Sequence, residues 1–314
     1  MLENQKYSDI VQPFLIDHSS IRGRFVRLEN VLNNILNAHN YHHTVSYYLA
    51  EQIVLASLLS ATLQKDGILT VQAKGDGAIK FIVVDIMASG IIRGYAEVND
   101  EKISEITKKS KNNILPLNKI MGKGYLAVTL DEGGSKERHQ SLVELNSDSI
   151  SDAFSEYFRQ SNQVEIAIKV IINKPNKDNK SWSASGIIIE RMPIEGGNKS
   201  EISDIEQNEI WERTKLFMST LKEDEMLAPD ITPQNLLYRL FNEDGVWVYK
   251  LQHLNSGCRC SRKRIRAIFK SIPQEELLAT LDETGKMKVN CQFCNKQEIF
   301  TKADIKRIYT PKKK

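Results

Sequence analysis

The first 257 residues of this 314-residue chain contain no cysteine, so disulfide bonds cannot hold that part together. With 41% apolar residues, the chain has enough material to fold around a hydrophobic core without such bonds. No apolar run is long enough to span a bilayer, because the most apolar stretch, residues 81–92, is interrupted by Asp85 and Gly90. The N-terminal segment also lacks a basic stretch followed by an apolar one, so no secretory signal is predicted. We therefore expect a cytoplasmic protein that does not act at a membrane.

The sequence also lacks the glycine patterns that cradle phosphates, GxxxxGK[ST] and GxGxxG. Paired glycines at 74–77 and 121–124 are interpreted as hairpin turns. No Ser/His/Asp constellation is evident, and His39, His42 and His43 have no further metal ligands near them in the sequence. These absences argue against a conventional enzyme and leave no residue to assign as catalytic.

Apolar periodicity indicates an α+β fold. Residues 9–28 alternate as strands do, and residues 44–65 are apolar nearly all round and contain no Gly or Pro, which predicts a buried helix. A hairpin is expected around Gly133 and Gly134. Further strands are predicted at 68–73, 78–87, 91–98, 124–131, 137–145, 164–172 and 182–190, with a short helix at 151–161.

The chain changes character near Gly196 and Gly197, where an acidic helical stretch begins. A second short helix should follow, with Thr232 as its cap and Pro233 at its first position. The first helix carries a narrow apolar stripe, Ile202, Ile205, Trp211, Thr214, Met218 and Leu221. We therefore predict a sheet core with packed helices, a helical linker and a small C-terminal zinc module, with bounds 1–196, 197–254 and 255–314.

All four cysteines lie in the predicted C-terminal module. Cys258 and Cys260 are separated by one residue, and Cys291 and Cys294 follow 30 residues later and are separated by two. In a reducing compartment, two close pairs with a medium gap predict a metal site rather than a disulfide framework. Four thiolates complete the tetrahedron that Zn2+ prefers. The simplest interpretation is one structural Zn2+ per chain.

Two features favour a reactive site over a purely structural one. The spacing of Cys258 and Cys260 is tighter than usual for zinc ligands, so a bond between them would be strained and readily reversed. Residues 255–314 carry 15 Lys and Arg against 6 Asp and Glu, whereas the rest of the chain carries 28 against 34. Cations near thiols lower their pKa and favour oxidation, although a solvated basic face or a phosphate-binding patch would look the same. The cations nearest the cysteines are Arg259, Arg262, Lys263, Arg264, Arg266, Lys286, Lys288 and Lys296.

Energetics add a third feature. A structural Zn2+ supplies about 10–16 kcal/mol of folding free energy, and a module of about 60 residues often has only a marginal core of its own. Disulfides within each cysteine pair would close very short loops and constrain the unfolded chain little. Oxidation would therefore exchange a large stabilisation for a small one, and the module should unfold.

The segments Cys-Arg-Cys-Ser-Arg-Lys-Arg-Ile at 258–265 and Val-Asn-Cys-Gln-Phe-Cys-Asn at 289–295 resemble the redox-switch motif of the thirty-three-kilodalton heat-shock chaperone family. The resemblance extends over essentially the whole chain. One departure is Asn162, where that family usually has Glu. Other similar segments are at 59–77, 91–98, 124–131, 157–163 and 236–241.

The resemblance implies a chaperone that is inactive when reduced and zinc-bound. Peroxide or hypochlorous acid, often with heat, would join Cys258 to Cys260 and Cys291 to Cys294, release Zn2+ and unfold the module and the linker. The exposed apolar surface would hold unfolding client proteins without ATP, as a homodimer, and an ATP-driven chaperone would receive the clients later.

Two other functions remain open from the sequence. A zinc-ribbon nucleic-acid-binding protein would explain the basic module, although the basic run lacks the interleaved aromatic residues that single-strand binders use for stacking. A thiol oxidoreductase would explain a strained Cys258–Cys260 pair, but the sequence around Cys291 and Cys294 does not match a thioredoxin-like centre. Nucleic acid is therefore not expected as the main partner.

Overall fold

The computed structural model divides the chain into two compact units, Met1–Ser256 and Gly257–Lys314. Its sheets and helices confirm the predicted α+β class. The predicted boundary at Gly196 and Gly197 lies outside the described residues, so the three-part division remains a prediction. The structure describes residues 7–17, 19–108, 114–133, 138–162, 164–177, 179–192 and 203–310.

The strands follow the apolar alternation and the β-rich runs of the sequence. Five strands were not predicted: β10 to β12 below are too short to carry a periodic pattern, and β13 and β14 lie in the cysteine-containing module, where no strand was predicted. In chain order the strands are β1 (Ile10–Ile16), β2 (Ile21–Leu28), β3 (Ile68–Gly75), β4 (Ile79–Met87), β5 (Ile91–Val98), β6 (Gly124–Asp131), β7 (Arg138–Glu144), β8 (Glu165–Asn173), β9 (Ser183–Arg191), β10 (Val246–Val248), β11 (Gln252–His253), β12 (Asn255–Ser256), β13 (Lys286–Asn290) and β14 (Gln297–Thr301).

The helices begin mostly at capping side chains. Ser149, Ser203, Thr232 and Ser261 each accept a hydrogen bond from a backbone N–H of the first helical turn. In chain order the helices are α1 (Asn30–Leu36), α2 (His43–Ser60), α3 (Asp100–Thr107), α4 (Leu117–Met121), α5 (Ile150–Tyr157), α6 (Asp204–Thr220), α7 (Glu223–Leu227), α8 (Pro233–Phe241), α9 (Arg262–Phe269), α10 (Gln274–Ala279) and α11 (Lys302–Tyr309).

Within the described ranges, the first sheet has the strand order β10-β1-β2-β9-β8, with β11 also paired to β1, and all its pairings are antiparallel. Successive side chains of a strand point to opposite faces. Ile188 therefore packs in the cluster around α2, whereas Ile187 and Ile189 pack with α6 to α8. We call the second surface the linker face; its buried apolar members are Ile10, Phe14, Ile16, Ile21, Phe25, Ile187 and Ile189.

The second sheet has the order β12-β5-β4-β3-β6-β7 in the part of the chain described. Its strands β3, β4 and β5 form the predicted meander, and β6 pairs with β7 as the predicted hairpin. Helix α2 contacts β2, β8 and β9 of the first sheet and β3, β4 and β5 of the second. Contact with both sheets explains why this helix is apolar nearly all round.

Helices α6, α7 and α8 cover the linker face. The predicted stripe residues Trp211, Thr214, Met218 and Leu221 are buried, and Ile202 lies outside the described residues. The prediction for Ile205 was wrong, because this side chain is 72% exposed. Six residues separate Ile205 from Trp211, and this places them about 120° apart around an α-helix.

Four residues before Trp211, Gln207 occupies the inward position instead. It is 4% exposed, and its Oε1 accepts a hydrogen bond from the backbone N–H of Ser20 at 3.3 Å. The polar residue, not the nearby isoleucine, therefore continues the buried stripe.

Three local predictions also need correction. Residues 121–124 link α4 to β6 rather than forming a hairpin turn; Met121 and Lys123 are held there by hydrogen bonds to Gly77 and Asp76. Helix α2 ends at Ser60, before the predicted residue 65, and the acidic helical stretch predicted to begin near Gly197 is, in its described part, divided into α6 and α7. The turn at 74–77 does connect β3 to β4, as predicted.

The second unit is small. Strands β13 and β14 pair as an antiparallel hairpin, with Met287 opposite Phe300. The described residues of this unit bury four apolar side chains, Phe269, Leu277, Phe300 and Ile305. Across the described residues of the whole chain, no helix combines the length and the apolar character needed to cross a membrane.

Candidate metal centre

Two loops of the second unit bring the four cysteines together. Cys258 and Cys260 precede α9, and Cys291 and Cys294 lie between β13 and β14. Their Sγ atoms all lie within 4.8 Å of one another. Cys258 Sγ is 3.5 Å from Cys291 Sγ, and Cys260 Sγ is 3.4 Å from Cys294 Sγ. A tetrahedral site with Zn–S distances of about 2.3 Å places its sulfurs about 3.8 Å apart, so the cluster has the size that Zn2+ requires.

Backbone hydrogen bonds shape the second loop into a tight turn. The N–H of Cys291 donates to the carbonyl of Lys296 at 3.0 Å, and the N–H of Asn295 donates to the carbonyl of Cys291 at 2.8 Å. Asn295 has a φ of 54°, in the left-handed region that Asn tolerates better than most residues. The turn directs the thiols of Cys291 and Cys294 to the same side.

Arg262 connects the metal-binding loops to the small core. Its guanidinium lies 4.2 Å from the centre of the Phe300 ring. It also donates to the carbonyl of Ile299 at 2.7 Å and forms ion pairs with Glu298 at 3.3 Å and Asp304 at 3.0 Å. The sequence indicated only a cation near the first cysteine pair; its position four residues after Cys258, at the start of a helix, was the available signal.

The pKa values of three of the thiols are shifted, and not all in the same direction. Burial tends to raise the pKa of the Cys258 thiol, but hydrogen bonds from the Cys260 N–H and the neighbouring thiols outweigh it and lower this pKa to about 7. Burial and the adjacent thiols raise the pKa of Cys260, and burial raises that of Cys294. A lowered thiol pKa favours both metal binding and reaction with oxidants, so the environment of Cys258 promotes both.

The basic residues around the thiols are partly neutralised. Arg262 and Arg266 both pair with Asp304, and Lys296 pairs with Glu298 at 3.2 Å. The pKa of Lys296 is raised, first by its hydrogen bond to Glu298 and also by the charges of Cys260 and Cys294. Several of the basic residues near the thiols therefore form ion pairs within the C-terminal unit, and these residues are less available to bind an external anion.

The histidines do not form a second metal site within the residues that the structure describes. His42 caps the N-terminus of α2, where its Nδ1 accepts a hydrogen bond from the N–H of Thr44 at 3.3 Å. The rings of His42 and His43 lie 4.1 Å apart, and burial lowers the pKa of both. Asn162 ends a π-helical turn, Phe158–Asn162, but its side chain lies outside what is described.

Comparisons with known proteins agree with this geometry. The sequence model of one family, described as Hsp33 protein, matches residues 9–301. A 33 kDa chaperonin of Caulobacter vibrioides strain NA1000 / CB15N is 31% identical over 290 residues, covering 92% of this chain and 93% of that protein. A 33 kDa chaperonin of Proteus mirabilis strain HI4320 is 31% identical over 300 residues, covering 96% of each chain. The crystal structure of a 33 kDa chaperonin (heat shock protein 33 homolog) from Thermotoga maritima has a TM-score of 0.76 at 21% identity, covering 96% of this chain and 97% of that one, and so shares its fold.

Proposed function

The chain belongs to the Hsp33 family, and on that premise we propose that it is a redox-regulated molecular chaperone, an ATP-independent holdase activated by cysteine oxidation. Its relatives are named chaperonins rather than enzymes, and it is a chaperone by family. The observation that carries the redox part of the proposal is the meeting of four thiols within 4.8 Å in a unit with a small core.

In the reduced state, Cys258, Cys260, Cys291 and Cys294 would hold one Zn2+ as thiolates. The donor set fits, since four sulfurs at this separation suit a tetrahedral ion that favours thiolate ligands. The bound ion would contribute folding free energy to the C-terminal unit. The residues themselves contribute the two rigid loops and the cations that offset the negative charge of the thiolates.

Oxidation would convert the neighbouring thiols into two disulfides, Cys258–Cys260 and Cys291–Cys294. In each step two thiolates give up two electrons and form one S–S bond, while one hydrogen peroxide takes up those electrons and two protons from solvent and is reduced to two waters. A disulfide sulfur is no longer a thiolate ligand, so the metal is released. The two sulfurs of each loop lie within 4.8 Å of one another, so each disulfide joins sulfurs that are already neighbours in the cluster.

Loss of the metal would remove most of the free energy that keeps the C-terminal unit folded. Its described residues bury only Phe269, Leu277, Phe300 and Ile305 as apolar side chains, and two disulfides that close very short loops restore little stability. Unfolding of this unit, followed by the linker, would uncover the linker face. That face is apolar over Phe14, Phe25 and Ile187 and suits the exposed apolar segments of unfolding proteins.

We expect the oxidised protein to act in the cytoplasm as a homodimer and to pass its clients to an ATP-driven chaperone. No catalytic residue is assigned. The carboxylate partners of Arg262, Arg266 and Lys296 favour this function over a zinc-ribbon nucleic-acid-binding protein, because paired cations are less available to phosphates.

The test compares two forms of the full-length chain, the reduced zinc-bound form and the peroxide-treated zinc-free form. Light scattering follows a heat-aggregating client protein, while zinc release and free thiols are counted in parallel. We expect the oxidised form to suppress aggregation and the reduced form to have little effect. Equal suppression by the two forms would refute redox control. A filter-binding assay with DNA and RNA at low salt checks the rival function, for which strong, salt-sensitive binding is required.

A further inference from the structure

Three of the polar side chains on the linker face donate hydrogen bonds to the linker. Gln12 of β1, Arg27 of β2 and Lys169 of β8 alternate with its apolar residues along their strands. The cross-strand register places Gln12, Phe25, Ile187 and Lys169 in one row across the sheet. Three strand spacings separate the two ends of that row, about 14 Å. An apolar centre is thus flanked by a hydrogen-bond donor on each side, with Arg27 two residues from Phe25 along β2.

Each of these donors binds main-chain carbonyls of the linker. Lys169 Nζ donates to the carbonyls of Ser219 at 2.9 Å and Leu221 at 2.5 Å, where α6 ends. Gln12 Nε2 donates to the carbonyl of Tyr249 at 2.7 Å. All of these donated bonds go to the linker backbone, and Gln12 Oε1 in addition accepts a hydrogen bond from the Gln234 side chain at 2.8 Å.

Arg27 makes two further bonds of this kind, from Nε to the carbonyl of Met226 and from Nη1 to that of Ile231, both at 2.9 Å. It is only 3% exposed, and burial lowers its pKa to about 10, so it remains a cation at neutral pH. A buried cation that loses its acceptors is strongly unfavourable. Once the linker leaves, Arg27 requires new acceptors wherever the surface is covered again.

Main-chain carbonyls are common to all polypeptides, but their availability differs. In folded proteins nearly all of them are already hydrogen-bonded, whereas an unfolding segment offers free carbonyls together with exposed apolar side chains. A face that combines an apolar centre with donors for backbone carbonyls would therefore bind unfolded chains in preference to folded ones, whatever their amino-acid sequence.

We propose that Gln12, Arg27 and Lys169 form a main-chain-binding array that holds the linker in the inactive chain and holds the backbone of a client segment after the linker has left. This inference rests on the proposed holdase function and assigns the residues that would bind the client. In both states the occupant is a polypeptide whose backbone carbonyls are free to accept.

The central experiment uses the full-length, peroxide-oxidised chain and measures its binding to fluorescently labelled, reduced and carboxymethylated α-lactalbumin, which stays unfolded. The variant is Lys169→Met, because this half-buried edge position tolerates an apolar side chain of similar length. Since hydrogen bonds from a charged donor are lost, Kd should rise about tenfold. The matched control is Lys177→Met, an exposed lysine in the segment after β8, for which Kd should not change.

The direction of the change in Kd for Lys169→Met distinguishes binding to the client backbone from binding by hydrophobic contact alone. Methionine adds apolar surface, so a face that binds clients by hydrophobic contact alone would bind the probe as tightly as before or more tightly, and that result would overturn the proposal. A role confined to holding the linker predicts faster proteolysis of residues 203–254 in the reduced variant and an unchanged Kd in the oxidised one, which would also overturn it. Lys169→Arg, which keeps a cationic donor, should restore most of the affinity.

Arg27→Met provides an independent test at the centre of the face, and its Kd should rise by at least as much. If that variant fails to fold, the two Lys169 variants still decide the question. Failure of the proposed function has a different signature: the unmodified oxidised chain would then neither bind the unfolded probe nor suppress aggregation.

Discussion

Glu51, a single buried carboxylate on α2, fastens α5 to the core. It is 3% exposed, and it accepts hydrogen bonds from the N–H and hydroxyl of Ser151 at 2.9 and 2.6 Å and from the N–H of Ile150 at 3.3 Å. These N–H groups belong to the first turn of α5, where an acceptor satisfies otherwise unpaired donors. We predict that Glu51→Ala lowers the free energy of unfolding by about 1–3 kcal/mol, measured by urea denaturation of the reduced zinc form.

The charge of Glu51 makes a separate, pH-dependent prediction. Burial raises the pKa of its carboxyl above the ordinary value of 4.5, more than the Ser151 hydrogen bonds lower it. The folded state therefore binds the proton more tightly than the unfolded state. Relative to Glu51→Gln, the wild-type protein should gain stability as pH falls through the folded pKa of Glu51, and the gain should be complete below the ordinary value of 4.5. A difference between the two proteins that stays constant over this range would contradict the assignment.

Arg262 is expected to couple the small core to metal retention. Replacement by Ala removes the contact with Phe300 and the ion pairs with Glu298 and Asp304, so the C-terminal unit should lose about 1–3 kcal/mol. Zinc transfer to a chromogenic chelator should become faster, and less peroxide should be needed to release the metal. Lys263→Ala, at an exposed neighbouring position, is the control, and equal zinc-release rates for the two variants would count against this role.

For individual residues, the sequence predicted that the four cysteines come together, and the structure confirms this, but it did not predict the side chains that anchor the linker. Clustered thiols either bind a metal or form disulfides, so the spacing of the cysteines already predicted a common site. The four residues are Cys258, Cys260, Cys291 and Cys294. Lys169, in contrast, is one charge within an apolar strand pattern. The carbonyls that it binds lie about 50 residues away in sequence, and no local rule predicts that pairing.

Among the secondary-structure elements, α6 determines how firmly the linker face is covered. Trp211 is 3% exposed and packs in the cluster that includes Phe14 and Phe25. Truncation to Ala should destabilise the packed linker by about 3–5 kcal/mol. In the reduced form, the Trp211→Ala protein should then be proteolysed faster within residues 203–254 than the wild-type protein. When oxidant is added, it should begin to suppress aggregation at a lower dose than the wild-type protein.

Leu216 offers a matched control on the same helix, since its side chain is 63% exposed. Leu216→Ala changes the helix propensity little and removes few contacts, so proteolysis and activation should remain as in the wild-type protein. If both substitutions had the same effect, helix propensity rather than packing on the sheet would control activation.

Periodic elements were predictable, whereas elements defined by pairing were not. Helix α2 and the strands β3 to β6 carry long apolar patterns, and these set their type and approximate bounds. Strands β10 and β11 have three and two residues, too few for any period, and they exist because the edge of β1 supplies hydrogen-bond partners. Helix α6 shows a similar effect. Ile205 is exposed and Gln207 is buried, because a tertiary hydrogen bond with Ser20 stabilises the orientation in which Gln207 faces the sheet.

For the whole molecule, the two units have cores of very different size. The first contains an extended cluster between its two sheets, with α2 at its centre, and a second cluster on the linker face. The described part of the second buries four apolar side chains. Because hydrophobic stabilisation scales with the apolar surface removed from water, we expect the second unit to need a bound metal for its stability and the first unit to be stable without one.

Oxidation should therefore dismantle the chain in a fixed order. After peroxide treatment, brief proteolysis should first cut within 257–310, then within 203–254, while the strands of both sheets remain intact, as mass spectrometry of the fragments would show. We attribute the unfolding of the C-terminal unit to the loss of the metal and not to the formation of the disulfides. Removal of zinc by a chelator under reducing conditions should consequently produce the same first cuts without any disulfide. If the chelated, reduced chain resisted protease as well as the zinc-loaded form, the small core alone would suffice, and the metal would have no structural part in the switch.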